Sequence, residues 1–166
     1  PSGKTYGTPE LTHLLAGSGG GGGRHAGGGA GAGAIKIVAT GTLTLGGNIW
    51  AVGGKGGNVA ANLGKSGASG SGGAIFLKAP NLVIQSGVKI CADGGTGPTG
   101  VTTIAPNSSD GGEAGGAAGG GGRIYVEASQ SLVNHASSTH YNLTASGGLS
   151  AGARHGTDGT VKIIRP

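Results

Sequence analysis

Four segments of the chain alternate apolar with variable residues in the same way. They are Gly33-Ala34-Ile35-Lys36-Ile37-Val38-Ala39, Gly72-Gly73-Ala74-Ile75-Phe76-Leu77-Lys78-Ala79, Gly122-Arg123-Ile124-Tyr125-Val126-Glu127-Ala128 and Gly159-Thr160-Val161-Lys162-Ile163-Ile164. Each leaves a glycine run and then keeps a period of two, the signature of a strand with one buried face. The first three continue into two further short apolar pieces: Leu43/Leu45 and Ile49/Ala51, Leu82/Ile84 and Ile90/Ala92, Leu132 and Leu143/Ala145. Each set then runs into a Gly-Gly pair and a glycine-rich excursion. The fourth stops after its first piece, Val161/Ile163.

The repeats begin near 35, 75, 124 and 161, and their unequal lengths are absorbed by loops and by an insert from His135 to Tyr141. Constant strands joined by variable loops are what stacked repeats require. The pattern predicts an all-β chain, a parallel β-helix or solenoid of about three to four coils with the three pieces of each repeat on three faces. Ile35, Ile75, Ile124 and Val161 then stack inside, with Lys36, Phe76, Tyr125 and Lys162 outside. Lys78 and Glu127 become outside neighbours of opposite charge. The long glycine-rich loops are either flexible or laid flat as extended or polyproline-II segments, and repeated Gly/Ala runs at 26–33 and 114–122 favour ordered packing. Residues 1–16 differ: Thr8-Pro9-Glu10 followed by Leu11, Leu14 and Leu15 reads as a helix start or a turn that caps the 17–166 array.

Composition sharpens this reading. Glycine supplies 43 of 166 residues and charged residues only 10%, against about 7% and about 25% in ordinary globular chains, so a conventional close-packed core is not expected. Ile, Val and Leu cluster in alternating segments, which disordered chains lack. The net charge of +5 comes from single, scattered Lys and Arg, without the basic cluster or aromatic interleaving of a nucleic-acid surface. No window approaches the roughly 18 apolar residues of a membrane span. One cysteine, Cys91, excludes an internal disulfide framework and a cysteine-rich zinc site. The chain starts at Pro1 and ends within a strand pattern, and reads as a processed piece of a secreted protein. The sequons Asn107-Ser108-Ser109 and Asn142-Leu143-Thr144 agree with that, and name Asn107 and Asn142 as candidate glycan acceptors.

Chemistry is sparse by comparison. Gly64-Lys65-Ser66 ends like a phosphate loop, but Val59 stands where that loop needs glycine. His13, His25, His135, His140 and His155 fall outside the strands, and Asp93, Asp110, Glu113 and Asp158 sit singly in glycine loops, where turn formation accounts for an aspartate. No pair of carboxylates is legible that would flank a glycosidic bond. Neither a metal nor a cofactor is expected. Trp50, Cys91 and Thr144 share one outward position in successive repeats, making Trp50 and Cys91 candidate surface contacts.

The sequence Ala-Ile-x-Leu-x-Ala after a glycine run, the short Leu-x-Ile piece, Ile-x-Ala-x-Gly-Gly and the return Gly-Gly-Gly-Gly-Arg-Ile at 119–124 resemble glycine-rich, adhesin-like parallel β-helix repeats of large secreted and cell-surface proteins. The resemblance spans roughly residues 17 to 166, implies a structural or adhesive extracellular role, and carries no catalytic residues. The expectation is therefore a non-enzymatic extracellular or cell-surface protein. Its ends, Ile35 and Ile37 at one and Val161 and Ile163 at the other, continue into another copy or into further repeats of a longer chain, giving a filament or stalk. A polysaccharide- or ice-binding module is the first alternative and a polysaccharide-degrading enzyme the second. An ice face calls for a row of like residues, and Thr44 aligns instead with Val83 and Val133.

Overall fold

A computed structural model of the chain describes residues 7–59, 66–98, 116–135, 142–150 and 155–166. Among the described residues eight strands form: β1 (Ala34–Val38), β2 (Thr42–Leu45), β3 (Ile49–Trp50), β4 (Ala74–Ile84), β5 (Ile90–Cys91), β6 (Arg123–Asn134), β7 (Leu143–Thr144) and β8 (Thr160–Ile164). β1, β4, β6 and β8 lie side by side in that order with β2 also on β4, and β3, β5 and β7 make a second, three-stranded sheet. Every pairing is parallel.

The repeat register appears as expected. Ile35, Ile75, Ile124 and Val161 form one column, and Ile37, Leu77, Val126 and Ile163 the next. A one-residue slip would turn each of these side chains to the other face, so burial of one face pins the register. Residues from both sheets share one core, in which Ile75, Leu77, Leu82, Ile90 and Ile124 are completely buried. Each such side chain contributes about 1.5–3 kcal/mol.

The three-faced parallel β-helix expected from the repeats does not form. The first and second pieces of the second and third repeats run on as single strands, β4 and β6, so the strands make two parallel sheets, one of five strands and one of three. Two local features explain the join. Pro80 sits opposite a bulge in β6, where Ser129 and Gln130 face it, and Ser131 Oγ and Gln130 Oε1 bind the Asn81 amide across it. In the first repeat the same two-for-one step, Thr40-Gly41 opposite Pro80, separates β1 from β2.

The described glycine-rich segments form the remaining layer, and they are ordered. Their backbone bonds recur every third residue: Gly17, Gly20 and Gly23 donate to Ala32, Gly29 and Ala26, while Gly67, Gly70 and Gly73 donate to Gly57, Gly54 and Ala51. A three-residue repeat with partners outside the segment is the spacing of a polyproline-II helix. Close approach is what requires glycine here. A Cβ at Gly119 would land on the carbonyl oxygen of Gly70.

Segment 8–16 contains no helix. A turn closed by the Leu11 amide donating to Thr8 O (3.1 Å) leaves Leu11 at φ 48°. Leu11 is buried against Ala74 and Tyr125, with Leu14 and Phe76 beside it. The segment is thus a strap on the outer face of the larger sheet.

Candidate functional site

Among the described residues the larger sheet has two unpaired edges, and its alternation decides what they present. Thr160 N donates inward to Gly122 O, so the amides of Val161 and Ile163 turn to the open side of β8. At the other edge Ala39 N donates to Lys78 O, which leaves the groups of Ala34, Lys36 and Val38 on the open side of β1. These two sets are complementary in the register that the internal strands already use.

Side chains follow the backbone. In the inner column Ile35 and Val161 are each 41% exposed, while Ile75 and Ile124 between them are wholly buried. In the outer column Val38, Lys78, Glu127 and Ile164 are neighbours. The middle pair is charged and joined at 2.8 Å, whereas the end members are apolar, Val38 at 56% and Ile164 at 38% exposure. Apart from Leu15, the exposed large apolar residues gather at the two ends: Ile35, Val38, Trp50 and Val52 belong to the first repeat, and Val133, Leu149, Val161 and Ile164 to the third and fourth. Among the described residues from 66 to 98 there are none. β8 covers only the first half of β6, so that end is stepped.

The outer face beside these edges is a row of rings and charges. Lys36 Nζ lies 5.2 Å above the Phe76 ring, and Phe76 stacks on Tyr125 with centroids 4.9 Å apart and planes 3° from parallel. Lys162 follows Tyr125 in register and holds Glu10 of the strap at 2.8 Å. The Tyr125 hydroxyl donates to Glu127 Oε2 at 2.9 Å. Hydrogen bonds from Lys78 and then from Tyr125 hold the Glu127 carboxyl below its ordinary pKa. Burial, with the same bond to Glu127, pushes the Tyr125 phenol up.

The other sequence candidates disperse. Trp50 stands 60% exposed on β3, but Cys91 across from it is a buried free thiol and so no surface contact. The Asn142 amide donates to Val88 O at 2.6 Å, and Thr144 Oγ1 donates to Asp93, so this sequon ties strands together. Asn107 lies outside the described residues. Asp93 also accepts from Ser146 N and Asp158 from Gly147 N, which makes both of them loop clamps. Among the described residues no three His, Cys, Asp or Glu are placed to hold a metal, and no helix is long and apolar enough to cross a membrane.

Sequence reasoning named Ile35, Ile37, Val161 and Ile163 as candidate assembly residues, and did not name Glu10, Val38 and Ile164, which the structure sets beside them. For Val38 and Ile164 the signal was legible: an outward column charged in its middle and apolar at both ends. For Glu10 there was none, because a contact 152 residues apart in the chain leaves no periodicity. Searches of family models, curated proteins and solved structures find no match to this chain.

Proposed function

We propose that the chain is a non-enzymatic structural module, of an extracellular or cell-surface kind, that joins end to end by pairing β8 of one copy with β1 of the next. The observation that carries this reading is the outer column, charged where it is internal and apolar at Val38 and Ile164, which continued register would bring together. The inner column supports it, because Val161 and Ile35 would close on each other as Ile75 and Ile124 do. Unpaired edges with apolar flanks favour strand addition. Contact between unlike ends does not close on itself unless it forms a ring, so its product is a filament.

Val161→Pro tests the joint. It removes an outward amide while leaving the inner ladder to β6 intact, and edge strands tolerate proline. Wild type should sediment as concentration-dependent polymers and show uniform filaments by electron microscopy, while the variant stays monomeric with an unchanged circular dichroism spectrum. A wild type that remains monomeric at high concentration, or a variant that polymerises equally well, would overturn the proposal.

A further inference from the structure

Continued register has an electrostatic cost at one position. It sets Lys162 of one copy beside Lys36 of the next, since both belong to the column that runs through Phe76 and Tyr125. Neighbouring strands lie about 4.8 Å apart, and like charges directly opposite one another are destabilising. A carboxylate already stands there. Glu10 Oε1 is 2.8 Å from Lys162 Nζ, and both side chains keep solvent contact. Its place is fixed by the neighbouring Leu11, which the strap buries against Ala74 and Tyr125. The other acidic side chains among the described residues are engaged elsewhere: Glu127 with Lys78 and Tyr125, Asp93 with Thr144 and Ser146, and Asp158 with Gly147.

We propose that Glu10 is the counter-charge of the joint. Bound to Lys162 in its own chain, its carboxylate also receives the Lys36 ammonium of a second copy, so the strap strengthens the hold of the β8 edge on a β1 edge. This rests on the end-to-end reading above, and makes Glu10 a positioning residue of that interface.

The test is sedimentation equilibrium at low and at high salt. Glu10→Gln should raise the dissociation constant of the joint by about two- to fivefold at low ionic strength, the range of an exposed ion pair. Near 1 M salt, where screening acts within about 3 Å, the difference should vanish. The double variant Glu10→Gln/Lys36→Glu should regain wild-type association, because the carboxylate now arrives from β1. Both positions are exposed, and an unchanged circular dichroism spectrum checks that each variant folds. Wild type that assembles while Glu10→Gln assembles identically at low salt would overturn the role of Glu10 and leave the joint standing, as would a double variant that regains nothing. A monomeric wild type would overturn both.

Discussion

Leu77 and Lys78 are adjacent in β4 and could hardly differ more in surroundings. Leu77 is completely buried between Ile37 and Val126, whereas Lys78 reaches across the outer face to Glu127. Leu77→Ala should cost about 2–5 kcal/mol by emptying a column that cannot collapse. Lys78→Ala should cost less than about 1 kcal/mol, as exposed pairs do. Urea unfolding of the two variants checks the inward and outward assignment. Glu127 adds a pH dependence with a definite sign. Its carboxyl is held below the ordinary value by Lys78 and Tyr125, so its contribution is present above the unfolded carboxylate pKa and is lost as pH falls through the depressed one. Tyr125 works at the other end of the scale. Its raised pKa means that stability present below the ordinary phenol value is lost as pH rises through the folded one. Melting temperature against pH should fall on both flanks, and Glu127→Gln should flatten the acid flank.

The strands could be read from the chain because one face of each is turned to the core, which writes a period of two into the sequence; Ile35/Ile37, Ile75/Leu77 and Ile124/Val126 state it plainly. How many faces the pieces would form was not legible. A bend or a run-through between Ala79 and Leu82 depends on a single bulge at Ser129-Gln130, and one residue leaves no pattern. The glycine layer was half legible: its composition marks close packing, but its partners are set by three-dimensional neighbours. Gly28 and Gly31 illustrate this. A Cβ on either would strike Gly20 O or Gly17 O of the outermost segment, and Ser71 Oγ closes on Ser18 from the other side. The layer also yields a paired prediction. Gly33 has open space where a Cβ would go, so Gly33→Ala should leave stability unchanged or raise it by up to about 1 kcal/mol through the unfolded chain. Gly119→Ala would drive a methyl group into Gly70 O and should unfold the layer. Hydrogen exchange of the glycine amides separates the two outcomes. If Gly119→Ala keeps wild-type protection, the polyproline-II packing is wrong.

Across the whole molecule, polarity of assembly follows from the two ends being different. If β8 pairs with β1, Val38→Lys spoils the β1 end and leaves the β8 end intact, while Ile164→Glu does the reverse. Each variant alone would set a charge against an apolar neighbour at every joint, so each should be monomeric at concentrations where wild type polymerises. Both substitutions fall on exposed positions of edge strands, so the folded chain should survive them. Mixed together, the variants should recover long polymers in which the two alternate. One joint then pairs the introduced glutamate with the introduced lysine, and the other restores the native contact of Ile164 with Val38. A symmetric pairing of like edges predicts something else: Val38→Lys would still dimerise through β8, Ile164→Glu would still dimerise through β1, and mixing would add no length. Light scattering of the separate and mixed variants decides between them, and the head-to-tail joint fails if either variant polymerises alone or if the mixture stays short.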